Sequence, residues 1–185
     1  MSARRNRKDQ LLDAALEAFG RQGYEGTGIA ELAAMTEMSK AAVGYHFPSK
    51  EHLLRELVQP LLDSLEAVTA GTTGHVDWPD GARRLLGGYL LALTDHRAVA
   101  IWVDGDKSVL NHPEVGQRLD RVNDAVVEAI TGPHPGELER LLVTAALGSL
   151  WRPVRSLPDL DLRARHDDLL EAAMAVVARL PDGAH

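Results

Sequence analysis

The stretch TGIAELAAMTEMSKAAVGYHFPSK, residues 27–50, contains two short helical patterns separated by a tight turn. Ser39 can cap the second pattern, a very short helix from Lys40 to Phe47. Pro48 ends that helix, because the residue before a proline disfavours helical geometry. A buttressing helix, a short turn and a second, polar-faced helix are the layout of a helix-turn-helix.

The second helix is predicted to bury one face and to expose the other. Val43 and Phe47, one helical repeat apart, would face inward. The outward face would offer Ser39, Lys40, Ala41, Ala42, Tyr45 and His46. These cationic, hydroxyl, imidazole and methyl groups can meet phosphates, base edges and thymine methyls in a major groove ~12 Å wide. The same spacing also fits the corner of a purely structural helical core, so spacing alone leaves both interpretations open.

The flanking residues extend the helical pattern in both directions. Leu12, Leu16 and Phe19 form an apolar stripe that predicts a first helix ending near Gly20–Gly23. Thr27 is predicted to cap the second helix, and Ser49 a fourth helix with a long leucine face. Lys50 lies in the first turn of that helix, where free backbone amides and the helix dipole favour a phosphate.

The rest of the chain is predicted to be all-helical as well. A linker-like loop covers residues 71–81. Beyond it, the periodicity predicts five helices, at residues 80–96, 97–110, 113–131, 136–152 and 161–180. Breaks are expected at the prolines that follow His112, Gly132, Arg152 and Leu157.

The charge of the chain is unevenly distributed. Residues 1–58 contain eight Lys/Arg and eight Asp/Glu, so the remaining 12 Lys/Arg and 19 Asp/Glu carry the net charge of −7. Within the neutral part, Arg4, Arg5, Arg7 and Lys8 form a basic start. A local basic surface matters more for phosphate binding than the global sum, although a merely solubilising tail would look the same.

At these residues the sequence resembles the TetR family of bacterial repressors. The motifs are LLDAALEAF (Leu11–Phe19), GYEGT (Gly23–Thr27), IAELA (Ile29–Ala33), SKAAV (Ser39–Val43) and YHFPSKEHLL (Tyr45–Leu54). The resemblance implies phosphate contacts by Thr27, Tyr45, His46 and Lys50, and it puts Ser39, Lys40, Ala41 and Ala42 at the front of the recognition helix. Two positions depart from the family pattern. Glu37 stands where the family usually has glycine, and Gly44 where it usually has a large or aromatic residue.

The resemblance also implies an architecture and a mechanism. The chain is expected to be all-α, with an N-terminal three-helix helix-turn-helix DNA-binding domain at residues 1–58. A fourth helix would join it to a helical effector-binding and dimerisation domain at residues 59–185. A homodimer would bind double-stranded operator DNA, and a small, mostly apolar effector would release the DNA. Leucines such as Leu138 and Leu141, interleaved with small residues, suit a dimer face on the last two helices.

The effector pocket is expected among the middle helices. An apolar cavity with a few polar groups is the usual form of a small-molecule site. The residues predicted to bind the ligand are Tyr89, Leu93, Trp102, Asp106, Asn123 and Trp151. Aromatic residues at helical spacing also occur in ordinary cores, and a regulator controlled by a protein partner, or without any ligand, would have the same sequence pattern.

Other function classes find little support in the sequence. No cysteine is present, and the spacing of His and Asp fits no metal motif, so no metal and no cofactor are expected. No catalytic motif such as GxSxG is present, so no catalytic residues are predicted and the chain is not expected to be an enzyme. The polar start and the absence of a long apolar run predict a cytoplasmic protein without a membrane partner.

Overall fold

A computed structural model describes residues 6–72 and 74–181, which form ten α-helices and no strand. Arg4 and Arg5 of the basic start lie outside these residues. The helices are α1 Arg7–Gln22, α2 Ile29–Met35, α3 Lys40–His46, α4 Lys50–Ala70, α5 Asp80–Asp95, α6 Arg97–Gly105, α7 Lys107–Leu110, α8 Pro113–Thr131, α9 Glu137–Ser156 and α10 His166–Val177. No helix in this part of the chain is long and apolar enough to cross a bilayer.

The first three helices share one apolar core with the start of α4. Phe19 of α1, Leu32 of α2 and Val43 of α3 are each at most 1% exposed. Phe47, predicted to face inward, is 1% exposed as well. Because α2 and α3 are only seven residues long, this shared burial rather than intrinsic helix propensity stabilises them.

Helix α4 connects this small core to the rest of the molecule without a break. Its leucines are buried along its whole length, from Leu53 to Leu65. Three ion pairs hold it against α8. Arg118 binds both carboxylate oxygens of Glu66 at 2.7 Å and Asp63 Oδ1 at 2.7 Å, and Arg55 Nε donates to Glu114 Oε2 at 2.6 Å. We therefore expect α4 to transmit movements of α8 to its own amino-terminal end.

The carboxy-terminal helices form a bundle in which α5 lies against α4, α8, α9 and α10. Helix α6 lies between α1 and α9, so it contacts both halves of the molecule. The predicted linker is anchored to this bundle, because Val76 N donates to Ala129 O and His75 Nε2 lies 2.8 Å from Ile130 O, both near the end of α8. Helices α9 and α10 pack along each other and each keeps one face exposed.

The prediction that Thr27 caps α2 is wrong. The residue preceding α2 is Gly28, and no side chain caps the helix there. The Thr27 hydroxyl instead donates to Gly23 O at 3.0 Å, and Thr27 is only 2% exposed. The hydroxyl thus stabilises the preceding turn, which is the competing hydrogen bond that a short polar side chain can make.

Three predicted boundaries in the carboxy-terminal part also need correction. The predicted helix at residues 97–110 is interrupted at Asp106, whose carboxylate caps the separate helix α7. Helix α9 continues past Pro153 to Ser156, because the fully buried Val154 anchors its last turn and offsets the lost backbone hydrogen bond. The final helix begins at His166 rather than Asp161, since Asp161 Oδ1 accepts two backbone N–H groups in a preceding turn.

Candidate nucleic-acid interface

The start of helix α3 is held by the side-chain cap that the sequence predicts and by the turn that precedes it. Ser39 Oγ accepts from Ala42 N at 3.1 Å and so caps its first turn. The turn before it is closed by two bonds, from Met38 N to Ala33 O and from Glu37 N to Ala34 O, which together form a Schellman motif. Glu37 takes the left-handed position of that motif with a φ of 54°. A residue with a Cβ there costs roughly 1–2 kcal/mol relative to glycine.

The outer face of α3 presents the predicted DNA-contacting side chains to solvent. Ser39, Lys40 and Ala41 are exposed, whereas Ala42 and His46 are half-buried. Tyr45 is 84% exposed, and its ring lies edge-on to that of His46 with centroids 5.4 Å apart. The phenol hydroxyl of Tyr45 is therefore free to reach a phosphate, a kind of contact that tyrosine makes in protein–DNA complexes.

Lys50, predicted as a phosphate contact, is largely committed to the protein. Its ammonium donates to the backbone oxygens of Tyr24 at 2.8 Å, Thr27 at 3.3 Å and Glu25 at 3.4 Å. It also lies 4.3 Å from the centroid of the Tyr24 ring. About a quarter of the side chain stays exposed. Lys50 therefore ties the α1–α2 loop to the start of α4, and Thr27 can offer a phosphate little beyond its backbone because its side chain is buried.

Gly44 lies on the exposed side of α3, and a Cβ built on it meets no atom within 4 Å. We expect Gly44→Ala to raise the free energy of unfolding by up to ~1 kcal/mol, because alanine loses less backbone freedom in a helix. Urea denaturation measures the free energy of unfolding. The control is Gly20→Ala near the end of α1, where a Cβ also meets no atom within 4 Å and a similar gain is expected. A clear loss of stability in Gly44→Ala would contradict this account of the helix.

The α1–α2 loop is also held by the carboxy-terminal part of the molecule. Asp106 Oδ2 accepts from Tyr24 N at 2.6 Å and from Trp102 Nε1 at 3.3 Å, while Oδ1 accepts from the amide and hydroxyl of Ser108. The indole of Trp102 stacks on Phe19 at 5.2 Å between centroids. Burial would raise the pKa of Asp106, but the hydrogen bonds from Ser108, Tyr24 and Trp102 outweigh it and hold that pKa below its usual value.

The predicted ligand residues fall into three groups rather than one pocket. Trp102 and Asp106 line an open cleft of about 750 Å³ between α1 and α6. Asn123 and Trp151 line a second cleft, of about 500 Å³, between α8 and α9. Leu93 is fully buried in the core. The ligand-binding role of these residues stays a prediction, and a single ligand could not touch all of them.

Tyr89 joins the second cleft to the core. Its hydroxyl donates to Asn123 Oδ1 at 2.9 Å and accepts from Trp151 Nε1 at 2.7 Å. Tyr89 is fully buried, and this burial raises the pKa of its phenol to about 12, so the proton that it donates to Asn123 is retained at neutral pH. A ligand in the second cleft would reach Tyr89 only through Asn123 and Trp151.

Sequence reasoning missed three residues that the structure makes prominent. The ring of Tyr24 lies under the ammonium of Lys50, and its backbone N–H donates to Asp106. An aromatic residue after a glycine does not predict either contact. Asp104 and Asp120 line the second cleft. Asp120 follows Leu119 on α8, and only a helical-wheel comparison of α8 with α9 could have singled it out.

Comparisons with known proteins agree with this geometry. The sequence model of the family described as "Bacterial regulatory proteins, tetR family" matches residues 11–57. The HTH-type negative transcriptional regulator IcaR of the biofilm operon icaADBC from Staphylococcus aureus (strain Newman) is 33% identical over 61 residues. That match covers 33% of this chain and 33% of the relative. The chain therefore matches about a third of that relative's length.

Solved structures resemble the fold over nearly the whole chain. Mycobacterium smegmatis AmtR superposes with a TM-score of 0.72 at 19% identity, over 98% of this chain and 90% of that one. The TetR-family regulator PfmR from Thermus thermophilus gives 0.68 at 21% identity, over 92% of this chain and 98% of that one. At such low identity the likeness extends to the fold and no further.

Proposed function

We infer that this chain, which belongs to the TetR family of bacterial regulatory proteins, is a repressor that binds operator DNA as a homodimer and releases it when a small molecule binds. The match of residues 11–57 to that family's sequence model supports a DNA-binding transcriptional regulator rather than an enzyme. Repression, the dimer, the two-domain division at residue 58 and the effector are the parts that we propose.

The observation that carries the proposal is the exposed face of α3. Tyr45, at 84% exposure, stands beside Lys40 and the small Ala41 on a helix short enough to lie in a major groove. Tyr45 and His46 suit phosphate contacts, which position a protein, whereas Ser39 and Lys40 suit base contacts, which specify sequence. The name of the staphylococcal relatives, negative transcriptional regulators, supports repression.

The proposed dimer uses the exposed faces of α9 and α10. Leu138 and Leu141 are 53% and 63% exposed and share one face of α9 with the exposed Ala145 and Gly148. Exposed apolar side chains clustered on one helix face favour an interface over bulk solvent. A second copy is the fitting occupant, because small residues among leucines let helices approach closely and because a two-fold pair would present two α3 helices to DNA.

Selection from random duplex DNA tests the proposed function most directly. We expect the protein to enrich a palindromic site whose half-sites are about one helical turn, or slightly more, apart. The control is Tyr45→Ala, which alters an exposed side chain and should weaken binding to all selected sequences alike. Enrichment of no sequence, or of a site without two-fold symmetry, would show that the proposal is wrong.

We expect Lys50→Ala to lower both the stability of the protein and its affinity for DNA. Loss of the three contacts to backbone oxygens should cost about 1–2 kcal/mol, a value reduced because the ammonium is partly exposed. If the exposed part of the Lys50 ammonium also contacts a phosphate, the slope of log affinity against log salt concentration becomes shallower by about one unit in Lys50→Ala. Titrations at several salt concentrations measure this.

The control for Lys50→Ala is Lys40→Ala, which removes an exposed cation that does not tie two segments together. We expect it to leave the stability unchanged and to alter sequence preference. Unchanged stability in Lys50→Ala would contradict the tie to the α1–α2 loop, and an unchanged salt slope would contradict the phosphate contact.

A further inference from the structure

The cleft between α8 and α9 is lined by apolar and acidic side chains, without the basic side chains that line the α1–α6 cleft. Two carboxylates, Asp104 and Asp120, line the α8–α9 cleft together with Leu119, Leu147 and Trp151. Among the described residues, no lysine, arginine or histidine lines this cleft. The α1–α6 cleft, in contrast, is lined by Lys107 and Arg155 as well as by Asp13, Glu17 and Asp106, so cations balance most of its carboxylates.

The apolar part of the α8–α9 cleft is built by leucines and one indole. Leu119 and Leu147 are nearly buried, which makes them a firm wall, and Trp151 is half-buried beside them. The indole N–H of Trp151 is already bonded to the Tyr89 hydroxyl, which fixes the orientation of the ring. An aromatic ring attracts cations to its face, an attraction that strengthens when the site excludes water.

The polar part of the cleft contains two carboxylates, those of Asp104 and Asp120. Asp120 is exposed and has no ion-pair partner within residues 6–72 and 74–181. Asp104 forms an ion pair with Arg155, whose Nη1 lies 3.3 Å from Asp104 Oδ2. A group of three acidic or histidine side chains that could hold a metal ion is not found in the described part of the chain. The carboxylates thus suit a large organic cation rather than a bare metal ion.

We propose that the α8–α9 cleft is the effector site and that its ligand is a lipophilic organic cation. The ligand's apolar groups lie against Leu119, Leu147 and Trp151, and its charge is balanced by Asp104 and Asp120. The regulatory role of this ligand rests on the proposed function, whereas its chemical class rests only on the lining of the cleft.

A cation in this cleft also has a route to the DNA-binding helices. It competes with Arg155 for Asp104 and so weakens the ion pair between α6 and α9. Two residues later, Asp106 holds the backbone amide of Tyr24 in the α1–α2 loop. A ligand that prefers the arrangement without the Asp104–Arg155 pair shifts the population toward it, and the position of the α1–α2 loop changes with it.

The test uses tetraphenylphosphonium and tetraphenylborate, two ions of nearly the same size and shape but of opposite charge. We expect tetraphenylphosphonium to bind the full-length protein at least tenfold more tightly by calorimetry. Asp120→Asn should weaken that binding by about two- to fivefold, the effect of one exposed carboxylate, and the Asp104→Asn/Asp120→Asn double variant should weaken it more. Asp124→Asn, on α8 but outside the cleft, is the matched control and should change nothing.

Equal binding of the two ions overturns the proposal, because binding would then depend on hydrophobicity and not on charge. An equal loss in Asp124→Asn and Asp120→Asn also overturns it, because the preference for the cation would then come from the net charge of the protein. The thermal stability of each variant, measured without ligand, shows that it is folded. A separate arm adds tetraphenylphosphonium to the protein bound to its selected DNA site. Charge-selective binding without release of DNA supports the ligand class and overturns effector control.

Discussion

Leu141→Arg should convert the protein from a dimer to a monomer at micromolar concentration and lower its affinity for a palindromic operator at least about 100-fold. Burying one leucine contributes about 1.5–3 kcal/mol, and a two-fold interface contains each substituted position twice. A total of about 3 kcal/mol corresponds to about two powers of ten in the dimer dissociation constant. Sedimentation velocity and fluorescence anisotropy with the selected DNA measure the two effects.

The control for Leu141→Arg is Leu91→Arg. Leu91 is 46% exposed but belongs to α5, outside the proposed dimer face. The two variants make the same chemical change at exposed positions, so neither should unfold the chain. If Leu141→Arg stays dimeric, or if Leu91→Arg dissociates equally, the outer face of α9 is not the interface.

Asp106→Ala should lower the free energy of unfolding by about 2–4 kcal/mol. The change removes the cap of α7 and leaves the amide of Tyr24 without its acceptor in a partly buried place. Loss of a cap costs about 1 kcal/mol, and an unsatisfied buried donor about 1–3 kcal/mol. Urea denaturation measures the total. Hydrogen exchange at the Tyr24 amide, which should become faster, reports on the contact between the two halves of the molecule.

Ser108→Ala is the control for Asp106→Ala, because it keeps both the backbone cap of α7 and the Tyr24 contact. It removes only the hydroxyl bond within the α6–α7 junction and leaves the Tyr24 contact in place. We expect a loss of about 0.5–1.5 kcal/mol and no change in the exchange of the Tyr24 amide. If the exchange of the Tyr24 amide is no faster in Asp106→Ala than in Ser108→Ala, Asp106 does not connect the α1–α2 loop to α6.

Local sequence is enough to specify most of the structure of α3 and α4. Ser39 and Ser49 cap α3 and α4 as predicted, and Val43 and Phe47 are buried. Glu37, which stands where the resembled family usually has glycine, takes a positive φ in the turn before α3. These features depend on residues within a few positions of one another, so the order of side chains along the chain is enough to specify them.

The roles of side chains that contact distant segments follow from the packing of the helices and not from the local sequence. Lys50 bonds to the α1–α2 loop, more than twenty residues earlier, and Asp106 bonds to Tyr24 across 82 positions of sequence. The predicted ligand residues separate for the same reason, with Trp102 facing α1 and Trp151 facing α8. Helical periodicity determines which side chains share a face, but which other segment packs against that face depends on how all the helices bury their apolar surfaces together.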